Sequence, residues 1–302
     1  MSVPKLRIAY VPEHFASPLL QLAAEDSSIQ LVPCPSGTGQ IMSAIKAGEV
    51  DLAIALTESL IAGIAKKTAE FKLVGTYVTS PLNWAVVVGK DSRYQTLADL
   101  RGEKIGISRI GSGSQVMASY MALREGWTNH EGNVEPIQFE VLDTFKNLRD
   151  GVNDGRAAAF MWEHFTTKPY LSEVRFIGSV PTPWHSWVLV APPSTTAPAS
   201  ALRPVLHAFL ANLTTSIHAF NAPTARKGPS KEFVKAHFGY PEEDVEAWLA
   251  QVDYPHGDVV EVSTEMVHKT LSTLEKAGVL TAPEGGWKLD DFVETSVARL
   301  SQ

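Results

Sequence analysis

Residues Leu97–Gly126 read LADLRGEKIGISRIGSGSQVMASYMALREG, and their reading sets the fold. A charged lead-in (Asp99, Arg101, Gly102) precedes a short apolar strand, Lys104–Ile107. The turn Gly111-Ser112-Gly113-Ser114 follows, and then an amphipathic helix from about Gln115 to Arg124. Such a turn leaves backbone N–H groups unpaired at a helix N-terminus, where the helix dipole also favours an anion or polar acceptor. In open α/β sheets these turns sit at the carboxyl ends of strands, where ligands bind. An ordinary Ser-capped helix uses the same residues, so the rest of the chain has to decide.

Outward from this stretch the pattern alternates strand and helix. Strands are expected at Leu6–Val11, Gln30–Val32, Asp51–Leu56 and Phe71–Val78, with helices at Pro18–Ala24, Gln40–Ala47 and Thr57–Lys66 between them. Continuous apolar strands separated by helices indicate a parallel sheet covered on both faces. The same grammar repeats between Ser80 and Pro183. Strands are expected at Trp84–Val88, Lys104–Ile107, Gln138–Val141, Ala157–Met161 and Arg175–Ile177, and helices at Ser112–Arg124, Phe145–Asn153 and Glu163–Tyr170. One more strand, Trp187–Val190, leads into the Pro/Ser/Thr/Ala stretch Pro192–Ser200. Beyond it the chain reads as helical over Ala201–Phe220, Ser230–Phe238, Glu242–Gln251, Val262–Ala277 and Leu289–Leu300. Helices without a sheet of their own must pack on an existing one. The expected architecture is therefore α/β with two lobes: residues 1–84 and 186–302 form lobe I, and 85–185 form an inserted lobe II. Two crossings, near Ser80–Trp84 and Pro183–Trp187, would act as a double hinge beside a cleft.

Composition sets outer bounds. Of 302 residues, 44% are hydrophobic and 20% charged, which suits a globular chain with real cores. A formal charge of −7 argues against nucleic acid or an anionic membrane as partner. No run approaches the eighteen or so apolar residues of a membrane span. Met1–Phe15 has neither the basic region nor the sustained apolar core of an export signal, so a cytoplasmic location is expected. Cys34, the single cysteine, lies between Pro33 and Pro35 without a catalytic neighbour and reads as an inert thiol.

With Ser36-Gly37-Thr38-Gly39, the phrase Ala47-Gly48-Glu49-Val50-Asp51-Leu52-Ala53 and LADLRGEKIGISRIGSGS, the chain resembles the type 2 periplasmic-binding-protein superfamily. It is most similar to the branch of the sulfonate/taurine-binding and NMT1/THI5-like proteins, and FMWEHFTTKPY (Phe160–Tyr170) resembles the cytosolic fungal Ca3427-like proteins. The resemblance implies two α/β lobes, a hinge and a ligand held between strand-end loops. It also implies the cleft positions: His14 with Phe15, Ser36–Gly39, Thr57 with Glu58, and the crossing that ends at Trp84. From the other lobe come Arg109, Ser112, Gly113, Ser114, Trp162, Glu163 and His164, with Trp184 and His185 at the return crossing.

Each of these positions has a structural alternative. The Ser36–Gly39 turn and Thr57-Glu58 could be simple helix caps. Trp84, Trp162, Trp184 and Trp187 could be core, but their clustering at the crossings favours an aromatic pocket, with ligand stacking on Trp162 and Trp184 and hinge packing by Trp187. Glu58 and Glu163 could accept hydrogen bonds from an amino-heterocycle. Arg109 is either a surface residue or the one cation beside the glycine turn.

The chain has no G-x-S-x-G elbow, P-loop, H-E-x-x-H or CxxC pair. With one cysteine it departs from the cysteine-rich iron motif of the thiamine-pyrimidine synthases. No cofactor is expected: neither metal, pyridoxal phosphate nor nucleotide. The expected function is a solute-binding protein for a small polar or heteroaromatic molecule, such as a thiamine-precursor pyrimidine, working as a monomer or weak dimer. The alternatives are an enzyme of thiamine-pyrimidine metabolism on the same scaffold, or a transporter-linked binding protein for sulfonate-like anions.

Overall fold

Apolar runs bounded by turn residues fold into two five-stranded sheets in the computed structural model, which describes residues 4–68 and 70–302. In chain order the strands are β1 (Leu6–Tyr10), β2 (Ile29–Pro33), β3 (Leu52–Leu56), β4 (Lys72–Val78), β5 (Asn83–Gly89), β6 (Ile105–Ile107), β7 (Phe139–Val141), β8 (Ala159–Glu163), β9 (Val174–Pro181) and β10 (Trp187–Ala191). The first sheet has the order β2-β1-β3-β10-β4 and the second β7-β6-β8-β5-β9. The chain passes between them twice, after β4 and before β10. The all-buried runs LAIAL of β3 and WVLVA of β10 lie in the interior of the first sheet, as continuous hydrophobicity requires of a strand covered on both faces.

The helices that matter for the site start where strands end. They are α1 (Ser17–Glu25), α2 (Thr38–Lys46), α3 (Thr57–Ala65), α4 (Gly113–Arg124), α5 (Phe145–Asn153) and the single turn α6 (His164–Thr167). The long C-terminal helix Arg203–Asn221 packs on α1, against the first sheet's layer. One contiguous apolar core runs through the first sheet, these helices other than α5, and one face of the second sheet. The opposite face of the second sheet carries a smaller cluster around Phe160, Trp162 and Leu148.

Three expectations are corrected. Neither sheet is purely parallel: β10 runs antiparallel to β3 and β4, and β5 antiparallel to β8 and β9. A strand that enters a sheet directly from a crossing has no crossover helix to reverse its direction, so it pairs antiparallel. Second, Leu289–Leu300 is not one helix. A turn of helix, Leu289–Phe292, ends where Val293 bridges Leu73 and the Glu294 amide donates to the Leu73 carbonyl at 2.9 Å. The edge of β4 offers that pairing, and tertiary context overrides a helical spacing of apolar residues. The tail then forms a strand, Arg299–Ser301, parallel to Glu261–Ser263, so the C-terminal region does own a small sheet. Third, Glu163 ends β8 instead of opening a helix through Tyr170. Its side chain caps α6, which gives way to a tighter turn at Lys168–Tyr170.

Candidate functional site

Between the two sheets, strand ends and helix starts converge on a buried cavity. Its wall includes eight of the residues singled out from the sequence: Gly37, Thr38, Trp84, Ser112, Gly113, Ser114, Trp162 and Glu163. Val11, Glu13, Leu56, Leu82, Ser108 and Trp187 complete it. The cavity is narrow, about 30 Å³, which holds water and falls well below the volume of an aromatic ring.

The two predicted helix starts face each other here. Gly37, at φ +79°, takes a backbone conformation that L side chains rarely adopt and turns the chain into α2. On the other side Ser112 precedes α4, its hydroxyl 2.9 Å from that of Ser114, which in turn accepts from the Ser108 amide at 3.2 Å. Among the described residues the amides of Thr38, Gly39, Gly113 and Ser114 have no acceptor. They are the orphan donors that every helix start leaves.

Gly113 is a point of close approach between the two sides. A Cβ there would lie 3.0 Å from Trp84 Cη2 and 3.2 Å from Glu58 Oε1, and closer still to Leu56 Cδ1.

Three carboxyl groups are buried around this point. Glu13 reaches in from the turn after β1, and Trp162 Nε1, from β8 in the other sheet, donates to its Oε1 at 3.2 Å. Burial and the neighbouring Glu163 carboxylate push Glu13 up to about 8. Glu163 accepts from the Thr166 amide at 2.6 Å, yet burial holds its acidity near 7. Glu58 accepts from Trp184 Nε1 at 2.9 Å, its other oxygen has no partner among the described residues, and burial raises it to about 7. His14 Nε2 stands 3.7 Å from Glu163 Oε2 and its Nδ1 is 3.2 Å from the Tyr240 hydroxyl. That separation would suit an ion pair, but burial lowers His14 to about 3, so the ring is neutral at physiological pH.

The remaining predicted residues stand behind the wall or at its rim. Thr57 donates its hydroxyl to the His185 carbonyl at 2.6 Å, tying α3 to the return crossing. Ser36 turns away from the cavity wall, its amide donating to Gln40 Oε1 at 3.0 Å, and Gly39 packs against the Arg109 side chain. Arg109 is at the rim, 3.5 Å from the Ser36 carbonyl and 3.9 Å from Asp143. Trp184 is buried, tilted against Tyr120 and bonded to Glu58, off the cavity wall. Trp187, read as hinge packing, stacks on Phe15 with centroids 3.7 Å apart and also lines the cavity. Phe165, not His164, contacts the His14 ring, while His164 is half-buried against Phe176.

Glu13 is the functional-looking residue that the sequence reading passed over. The signal was present: it shares the strand-to-helix turn with His14, and an acid in that turn points at whatever the strand end faces.

Sheet order, double crossing and cleft define the two-lobed fold of periplasmic binding proteins. A family profile described as Ca3427-like PBP matches residues 84–180. The structure is similar over 99% of both chains, at 32% identity and a TM-score of 0.85, to the Candida albicans CA3427 gene product. That protein is described as defining a new family with the generic periplasmic binding protein fold. The chain belongs to this Ca3427-like family. The alkanesulfonate-binding protein SsuA from Xanthomonas axonopodis pv. citri, bound to MOPS, is similar over 100% of both chains at 18% identity and a TM-score of 0.70. The aliphatic sulphonate-binding SsuA from Escherichia coli is similar over 91% of both chains at 20% identity and a TM-score of 0.62. These two likenesses concern the fold. No curated protein matches the chain. Among the described residues no helix is long and apolar enough to cross a membrane, and no group of His, Cys, Asp and Glu side chains is placed to hold a metal ion.

Proposed function

We propose that the chain is an intracellular solute-binding protein that closes two lobes, 1–84 with 186–302 and 85–185, around a small flat molecule carrying both N–H donors and acceptor atoms. The observation that carries this reading is the make-up of one cavity wall. Free helix-start amides, indole rings and buried carboxyls face the same space, with no lysine or arginine among its described residues. Amides and indole N–H groups ask for an acceptor such as a ring nitrogen, and carboxyls ask for an amino group. Trp84, Trp162 and Trp187 offer faces for a ring. Amino-bearing heteroaromatics, thiamine-precursor pyrimidines among them, fit that description. The volume of about 30 Å³ supports entry by hinge opening at the two crossings, since a ring cannot enter the cavity as it stands.

A second reading, a binder of sulfonate-like anions, draws on the structural relatives named for sulfonates and on the paired helix N-termini. Glu13 and Glu163 on the cavity wall weigh against it once they are ionised, because an anion beside them then meets like charge in a poorly solvated space. Mass spectrometry under native conditions, on protein purified from its own source, tests the proposal. A retained amino-heteroaromatic supports it, and a retained sulfonate or carboxylate overturns it. Fractionation of the source cells tests the location.

A further inference from the structure

We infer that Glu13 and Glu163, brought together from opposite sides of the cleft, form a subsite for one positive charge: a proton when the lobes close alone, and an amidine-like or protonated ring nitrogen when they close on a ligand. The inference rests on the proposed function in taking this cleft as the binding site, and it adds the sign of the charge and a coupling to pH.

Glu13 belongs to the turn after β1 and Glu163 to the end of β8, so only closure puts them on one cavity wall. They are 8% and 5% exposed, and no cationic side chain lies on that wall. The groups around them do not supply the missing charge. His14 is neutral, and Tyr240, from the loop after the helix Pro229–Phe238, holds its hydroxyl proton. Lys168 is engaged by Asp244 from the helix Glu242–Leu249. His164 loses affinity for protons through burial and the nearby Lys168. Glu58, bonded to Trp184, adds a third acid and no cation.

A separate observation points to a ligand. The indole N–H groups of Trp84 and Trp187 are buried, belong to residues of the same wall, and have no acceptor among the described residues. A planar group with an acceptor atom beside a positive or N–H-bearing nitrogen would satisfy both sets at once.

The direction of the pH effect follows. In the open form both carboxyls are hydrated and ionise in the ordinary range. In the closed form burial raises both, and the proximity of Glu163 raises Glu13 further, so that between about pH 7 and 8 the pair keeps one proton and loses it above that range. Closure therefore takes up protons, and raising the pH opens the cleft unless a cationic group takes the proton's place.

The test uses the full chain and three probes that share one ring: benzamidine, benzamide and benzenesulfonate. Small-angle X-ray scattering reads the opening and calorimetry reads binding. Wild-type protein should be compact at pH 6 and expanded at pH 9, and benzamidine should restore the compact form at pH 9. The variant Glu13→Gln/Glu163→Gln should stay compact at both pH values and bind benzamidine at least tenfold more weakly. Glutamine keeps an acceptor for the Trp162 indole and the Thr166 amide. Should that variant not fold, the infrared band of protonated carboxyls decides, read in Glu58→Gln so that the third buried acid does not contribute to it. It should persist above pH 6, and its loss by pH 5 overturns the inference. A radius of gyration independent of pH, or an unchanged pH response in the variant, also overturns it. Preference for benzenesulfonate overturns the cationic class while leaving the cleft as the site. Failure of all three rings, with the pH response intact, overturns the flat-ring reading of the proposed function and the cationic-ligand half of the inference, and supports the proton half alone.

Discussion

Gly113→Ala is the smallest change that tests whether the two lobes close as described. The added methyl falls 3.0 Å from Trp84 Cη2 and 3.2 Å from Glu58 Oε1, and within collision distance of Leu56 Cδ1. Leu56 and Glu58 lie in or just after the first sheet, while Gly113 opens α4 on the second. The contacts with Leu56 and Glu58 are therefore between lobes, and separating the lobes relieves those two, while Trp84 in β5 stays beside Gly113 and gives way only by a small shift of its ring. Overpacking by one methyl costs about 1–3 kcal/mol. Leu56 can swing its methyl away, which places the cost toward the lower half of that range. Alanine at a helix start returns a few tenths, up to about 1 kcal/mol in a helix interior. A net cost of about 1–2 kcal/mol lowers the ratio of closed to open protein by about 5–30-fold. Small-angle scattering at pH 6 should show a larger radius of gyration for Gly113→Ala than for wild type. Ser119→Ala, on the same helix, serves as control and should match wild type. Unchanged dimensions together with unchanged resistance to urea would refute the assignment of Gly113 as a point of close approach. A loss of helical circular dichroism would refute the claim that the strain lies between lobes.

Trp162→Ala should weaken ligand binding by about 1–3 kcal/mol in calorimetry. It should also lower the urea midpoint, because the ring stacks on Phe145 at 5.1 Å; normal affinity in the folded variant would return Trp162 to a purely structural role. Asp51→Ala should cost about 2–3 kcal/mol of stability, read from urea unfolding. Its carboxylate accepts from the Arg7 amide at 2.9 Å and from the guanidinium at 2.9 and 2.7 Å, and removing it strands those donors. Stability should be greater at pH 5.5 than at pH 8.5. Glu13, Glu58 and Glu163 have raised values of about 7–8, so their contribution is full at low pH and is lost as pH rises through 7–8. His14, His164 and His185, all lowered by burial, act the other way, but only below their ordinary value of 6.5, a small part of the interval compared. Urea midpoints at the two pH values check this, and a higher midpoint at pH 8.5 would refute it.

The elements most legible in the sequence were those that make their own case locally. The run Phe145–Asn153 was read to the residue, because Thr144 caps it and its apolar face is continuous. The two glycine-serine turns were legible because helix starts need small residues and free donors whatever the rest of the chain does. The phrase Ala47–Ala53 was legible as a family mark, and Asp51 explains part of it: it ties the loop before β3 to Arg7 in β1. What escaped the sequence was non-local. The pairing of Arg299–Ser301 with Glu261–Ser263 joins segments nearly forty residues apart, and no periodicity records it. Glu13 escaped for a similar reason. One acid in a turn reads as surface until the fold brings Trp162, 149 residues away, within hydrogen-bond distance.

That long-range contact also bears on how one fold could serve ligands of opposite charge. A helix N-terminus offers donors and a partial positive charge wherever the strand–turn–helix unit occurs, so the backbone alone favours an acceptor in the cleft. Backbone geometry is what relatives of 16–20% identity share most reliably, and it does not distinguish a sulfonate from a heterocycle. The side chains that complete the cavity must do that. An arginine or lysine on the wall would add to the helix dipoles and select an anion. Here the wall carries two carboxyls instead, with a third behind it at Glu58, so under the proposed function the acceptor end of a ligand would be served by the backbone and the donor end by the acids. The electrostatic cost of burying those acids is met by protonation while the cleft is closed alone. A ligand that replaces the proton converts that cost into selectivity, since a neutral or anionic ring of the same shape leaves the carboxyls either protonated or repelled.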